Sequence, residues 1–201
     1  MKKKPGITLA KALPFILLVG GTIGVLCAGI LTVEKIALLK NPGNPLNCDL
    51  SPIVACGPVI NTPQASAFGF PNPIIGLVGF GVVATIGAAL LAGAAFKRWF
   101  WVGLQGGAIF GIGFVTWLQF QSIFRIGTLC PFCMVVWSVM IPLFWYVTLY
   151  NLREGHIKTP PRLKSLVNFL QRHHGDVLIA WYLIIAGVIL HHFWYFWETL
   201  L

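Results

Sequence analysis

Five stretches of this chain, 12–33, 50–96, 99–124, 126–152 and 177–197, contain no Asp, Glu, Lys or Arg. Each is long enough to supply the roughly 20 apolar residues with which one helix crosses a hydrocarbon core. Only 9% of the residues are charged and 57% are hydrophobic, whereas a soluble domain carries about 25% charged residues. That composition argues against a soluble globular domain and excludes a disordered chain, which needs polar sequence. The expected fold is an all-α integral membrane protein, because helices pair their own backbone groups inside lipid.

The stretch 50–96 does not cross as one unit. Between 34 and 73 the chain carries Pro42, Pro45, Pro52, Pro58, Pro63, Pro71 and Pro73, interspersed with Asn41, Asn44, Asn47, Asn61 and Asn72. Prolines lack a backbone donor and asparagines compete for one, so this segment is expected to be a loop, with a short helix near 52–60. The spans then fall at about 12–33, 74–96, 99–120, 128–150 and 177–197, within a single membrane domain over 1–201. Pro142 lies inside the fourth span and frees a carbonyl that must find another partner. Trp194, Tyr195 and Trp197 read as an interfacial belt closing the fifth. The first span reads as a retained anchor, since no small-x-small site ends it as a cleaved signal peptide would require. Gly20, Gly24, Gly76, Gly103, Gly107 and Gly111 read as small residues that let helices approach closely in lipid.

The 14 basic residues fall in five groups. Lys2, Lys3, Lys4 and Lys11 precede the first span, Lys97 and Arg98 join the second and third, and Arg153, Lys158, Arg162, Lys164 and Arg172 lie in the loop 151–176. Those three groups hold eleven of the fourteen. Lys35, Lys40 and Arg125 make up the rest. The positive-inside rule therefore sets the amino terminus and the loop 151–176 in the cytoplasm, and the loop 34–73 and the carboxyl terminus outside. Nucleic-acid binding is not expected, because no loop is large enough to form a basic face.

Four of the five cysteines, Cys48, Cys56, Cys130 and Cys133, map to the outward side; Cys27 lies mid-span, where a thiol behaves as a small hydrophobe. Charges and cysteines are independent observations, and disulfides persist in oxidising compartments. Cys130-Pro131-Phe132-Cys133 is a Cys-x-x-Cys motif opening the fourth span, where unpaired backbone donors and the positive helix end favour thiolate. A redox dithiol, an inert disulfide and half of a zinc site all fit the motif alone. Zinc would draw its other ligands from Cys48 and Cys56, but their spacing is wide and the surroundings are apolar, so no metal site is expected. With two pairs, a loop cysteine can meet a water-facing partner and pass electrons inward by mixed-disulfide exchange, and a membrane quinone is the natural two-electron acceptor.

Asn47-Cys48-Asp49, the segment from Pro52 to Gly57, Phe68-Gly69-Phe70-Pro71-Asn72 and the segment from Leu129 to Trp137 together resemble the bacterial branch of the vitamin K epoxide reductase family. The resemblance covers roughly residues 12–150. It implies a four-helix bundle around a quinone pocket, here with a fifth transmembrane helix. It also implies an oxidoreductase of the bacterial inner membrane that reoxidises a thioredoxin-fold, DsbA-like extracytoplasmic partner and passes two electrons to menaquinone or ubiquinone. A naphthoquinone or quinone-epoxide reductase activity belongs to the same resemblance. Carried over by position, Cys48 resembles the cysteine that meets the partner, Cys56 the relay to Cys130, Cys133 the cysteine beside the quinone, and Asn72 the asparagine that hydrogen-bonds a quinone oxygen. Trp137 stands where some relatives have a tyrosine donor. Many relatives carry a fused thioredoxin-like domain after the last span; here the sequence ends at Leu201, and the partner is expected to be a separate protein. The alternatives are a structural or transport membrane protein with inert disulfides, or a zinc-stabilised one.

Several polar residues have a plainer reading. Asn72 between two prolines would serve as a helix cap, and Asp49 either tunes Cys48 or is a solvated loop charge. Arg125 either lowers the pKa of Cys130 or anchors a helix end. His191 and His192 snorkel to the interface, and His173 and His174 are solvated.

Overall fold

A computed structural model describes residues 7–42, 46 and 48–198. Expectations resting on Lys2, Lys3, Lys4, Asn44, Pro45, Asn47 and Leu201, and on the side chain of Trp197, lie outside the described residues. The chain is all-α. In order it forms α1 (Ile7–Lys40), α2 (Gly57–Ile60), α3 (Pro73–Leu91), α4 (Arg98–Phe120), α5 (Pro131–Arg153), α6 (Lys164–Arg172), α7 (His174–His192) and α8 (Trp194–Glu198). Five of these, α1, α3, α4 with the π turn Gln121–Ile126 that continues it, α5 and α7, are long and apolar enough to cross a membrane. Among the described residues, bridges outside the helices are confined to Ser51 with Val54 and Val54 with Leu129.

Helix α1 departs most from the expected span. Its 34 residues rise about 51 Å at 1.5 Å each, beyond a hydrocarbon core of about 30 Å. The expected loop at 34 begins instead after Lys40, because Glu34, Lys35, Ala37, Leu38, Leu39 and Lys40 end an apolar run without ending a helix; all are good helix formers. The overhang brings Leu38 against Cys48, Cys56 and Cys130 in one buried cluster. Helix α3 stops at Leu91, short of the expected 96, where Gly93 turns the chain with φ +89°. The basic loop 151–176 holds an unexpected helix, α6, with Leu166 and Phe169 exposed on one side. Beyond α7 the chain breaks at the fully buried Phe193, so Trp194 and Tyr195 belong to the separate α8.

The packing follows from where side chains are missing. A Cβ on Gly21 would lie 2.5 Å from the Ala84 backbone nitrogen, and one on Gly87 would meet the Leu18 backbone, so α1 and α3 touch along their backbones as small residues permit in lipid. Helix α1 also lies along α5, and α5 along α4. Gly103 and Gly107 differ from Gly21 and Gly87: a Cβ at either would meet nothing within 4 Å, and both line a cavity. They face a gap between α3 and α4.

Helix α7 is held to α5 by polar groups. Pro142 cannot bond the Ser138 carbonyl, and the Tyr182 hydroxyl of α7 donates to that oxygen at 2.5 Å. His174 is not simply solvated, as expected, but accepts the Trp145 indole N–H on its carbonyl at 3.0 Å and pairs its ring with the Tyr146 hydroxyl at 3.1 Å. At the same end the buried Asn151 bonds the Trp101 carbonyl, Gln105 and His156, tying α4, α5 and the following turn together.

Candidate active site

The site begins with a local backbone pairing. After the π turn, Gly127 adopts φ +71° and Ser122 receives the chain, its carbonyl accepting from the Gly127 and Thr128 N–H groups while its hydroxyl donates to the Thr128 carbonyl. Leu129 is thereby extended and pairs with the loop: its N–H donates to the Ile53 carbonyl at 2.8 Å and its carbonyl accepts from Ala55 at 3.0 Å. One residue after this bridge stands Cys130, and one residue after Ala55 stands Cys56. Both are fully buried, and their sulfurs lie 3.5 Å apart.

Cys56 is bonded to Cys48 in a buried disulfide with Cα atoms 5.6 Å apart. Asp49 sets the shape of that loop, accepting from the Cys56 and Gly57 N–H groups at 2.8 and 2.9 Å and so satisfying donors at the start of α2. Asp49 is exposed, as a solvated loop charge would be, but its carboxylate is tied to this turn and Cys48 has no free thiol for it to tune. With Cys48 and Cys56 joined, the four-cysteine zinc arrangement loses two ligands.

Cys130 caps α5, and its sulfur accepts the Cys133 N–H at 3.4 Å. It stands just ahead of the span that opens at Pro131. Hydrogen bonding, first from the Cys133 thiol and then from the Cys133 and Phe132 backbone N–H groups, holds the Cys130 thiol below its ordinary range against the opposing effect of burial. Arg125 is exposed at the end of the π turn, which fits the anchoring role. Cys27 is a buried free thiol of α1.

Cys133 faces the other way. It lines a cavity of about 540 Å³ together with Asn72, Trp137, Gly103 and Gly107, within the range of about 300–1,000 Å³ usual for small-molecule sites. The walls are almost wholly apolar, and the polar groups gather toward the cysteine end: Thr62, Gln64, Asn72, Gln121, Ser122 and Lys35. Asn72 is buried, and its carboxamide clamps its own loop, accepting from Ala67 N–H at 3.0 Å and donating to the Gln64 carbonyl at 2.7 Å. It makes no side-chain cap to α3. Trp137 is buried one turn beyond Cys133, on the same wall.

Two disulfide-capable pairs in contact, the inner one opening on an apolar cavity, are the parts of a thiol-redox enzyme. The sequence profile of the vitamin K epoxide reductase family matches residues 15–148 of the 201. The chain belongs to the vitamin K epoxide reductase family. Among curated proteins none matches it. Membership in the vitamin K epoxide reductase family makes the chain an oxidoreductase of the quinone-dependent thiol class, embedded in a membrane by several spans. Partners of this family are generally DsbA-like proteins.

A quinone fits the residues present. Its flat apolar rings and tail suit the walls, Gly103 and Gly107 leave the space open, and Asn72, Trp137 and Cys133 border it. Two parts of the site carried no signal in sequence. The Val54–Leu129 bridge joins residues 75 apart with no motif between them, and Lys35 reads as an ordinary loop charge until α1 is seen to continue through it.

Proposed function

We propose that this protein takes two electrons from a reduced thioredoxin-fold, DsbA-like partner and delivers them to a membrane quinone, menaquinone or ubiquinone, so regenerating the partner's disulfide. The observation that carries the reading is the 3.5 Å approach of Cys56 to Cys130, which links the loop pair to the pair whose second member borders the cavity.

The chain's own residues divide the work. A partner thiolate attacks Cys48 and releases Cys56 as thiolate; the partner's second thiol then frees Cys48 and leaves with its disulfide made. When Cys130 and Cys133 are joined, the Cys56 thiolate attacks Cys130 and releases Cys133, and Cys48 resolves the mixed disulfide, restoring the Cys48–Cys56 bond. Cys130 and Cys133, now reduced, rejoin as two electrons and two protons leave them. A bound quinone supplies the acceptor for both. Asn72 and Trp137 orient the ring by hydrogen bonds, and the apolar wall excludes water. The distribution of basic residues supports an inner-membrane orientation with the amino terminus in the cytoplasm and the four cysteines outside.

Purified protein mixed with a reduced thioredoxin-like protein and a soluble naphthoquinone should oxidise one dithiol for each quinone reduced. Thiol loss and quinone absorbance measure the two sides. No turnover would return the chain to a structural role, and turnover without quinone consumption would remove the acceptor.

A further inference from the structure

Among the described residues, Lys35 is the one charged side chain lining the cavity. It occupies α1 between Leu31 and Leu38, and both leucines are buried in the cluster that holds Cys48, Cys56 and Cys130. Its ammonium is held in place, donating to the Ile60 carbonyl at 3.0 Å, at the end of α2 and also on the cavity wall. An ammonium has three donors, so two N–H groups remain beyond that bond. Among the described residues no carboxylate pairs with it. A half-buried cation without an anion beside an apolar cavity carries a desolvation cost.

We infer that Lys35 contacts the bound quinone head and stabilises the negative charge that its oxygens gain on reduction. This rests on the function proposed above. When the Cys130–Cys133 bond forms, two electrons pass to the quinone and the two thiol protons are lost from sulfur. The quinone oxygens stay negatively charged until two protons reach them and hydroquinone results. A fixed ammonium at the cysteine end of the cavity favours that charge and needs no reorganisation as it develops. Lys35 is thus a catalytic residue for the quinone half of the reaction, and it takes no part in exchange among the cysteines.

The plain alternative is a staple between α1 and α2 through the Ile60 carbonyl, and three substitutions separate the two roles. Lys35→Gln keeps a neutral donor for that carbonyl and loses the charge; Lys35→Arg keeps both; Lys35→Met loses both. The full chain in detergent is supplied with a small dithiol and a soluble 1,4-naphthoquinone. Quinone reduction is followed by absorbance, and exchange among the cysteines is followed separately by alkylation. The expected result is a fall of about 10²- to 10³-fold in kcat for the Gln and Met variants, the range for removing one stabilising donor. Arg should recover most of the rate, KM should change less than kcat, and cysteine exchange should be preserved in Gln. Wild-type quinone reduction by Lys35→Gln overturns the inference, whether or not Met is impaired. Loss of cysteine exchange in Gln along with quinone reduction also overturns it, in favour of the staple. Failure of the unsubstituted chain to reduce the quinone overturns the proposed function as well, which distinguishes the two failures.

Discussion

Changing Leu129 to proline removes one N–H and with it the 2.8 Å bond to the Ile53 carbonyl. If the bridge to the loop is what aligns the sulfurs, this should slow the meeting of Cys56 and Cys130 more than it disturbs either cysteine. The background for the measurement is Cys27→Ala, Cys48→Ser and Cys133→Ser, which leaves Cys56 and Cys130 as the two free thiols. Their sulfurs stand 3.5 Å apart, and a disulfide needs about 2.05 Å, so an approach of about 1.5 Å closes the bond. Losing one hydrogen bond and stranding the carbonyl of the buried Ile53 costs about 1 to 3 kcal/mol. At about 1.4 kcal/mol per factor of ten, the cross-link should form roughly 5- to 150-fold more slowly. Mild oxidation, quenching at intervals and a gel shift with a maleimide polymer give the rate. Leu129→Ala is the control, since it removes the buried side chain and keeps the N–H. A cross-link in Leu129→Pro as fast as in the parent, or one slowed equally by Leu129→Ala, would refute the claim that backbone pairing sets the relay.

The other predictions test the remaining parts. Cys48→Ala should block oxidation of a thioredoxin-like partner while a small dithiol still reduces Cys130–Cys133 directly, and Cys133→Ala should abolish quinone reduction from every donor; a partner trapped on Cys133 instead of Cys48 would reverse the order. Asn72→Ala should lower the unfolding temperature, because two loop hydrogen bonds are lost at about 1 to 3 kcal/mol for a stranded buried group, and should raise the quinone KM; an unchanged KM would leave Asn72 a loop clamp. Gly107→Leu fills space that is open in the cavity and should raise the quinone KM without lowering stability, whereas Gly87→Leu drives a side chain into the Leu18 backbone and should cost at least about 1 to 3 kcal/mol, read as lost folded yield. Reporter fusions after Arg98 and Arg162 should act as cytoplasmic and one after Glu198 as extracytoplasmic; the opposite pattern would invert the chain.

What the sequence determined by itself was whatever depends on local composition. Long uncharged stretches require helices in lipid, and their number required no knowledge of contacts. The Cys-x-x-Cys at a helix start was legible because the first-turn donors that meet Cys130 lie three residues away, and the demand of Pro142 for a foreign donor to the Ser138 carbonyl follows from its missing N–H. The identity of that donor, Tyr182 from α7, depended on how two helices pack. Tertiary structure likewise decided which glycines seal helices and which hold a cavity open: Gly21 and Gly107 look alike in sequence, and only the position of α3 or of the gap tells them apart. The end of the uncharged stretch closed the first span at Val33, because hydropathy reports where a helix leaves lipid and not where it stops. The continuation to Lys40 turned Lys35 from a loop charge into a wall of the cavity. The contact on which the chemistry turns, Cys56 against Cys130, joins segments 74 residues apart, through backbone bonds that any residue but proline can make, and such bonds leave no mark in side-chain sequence.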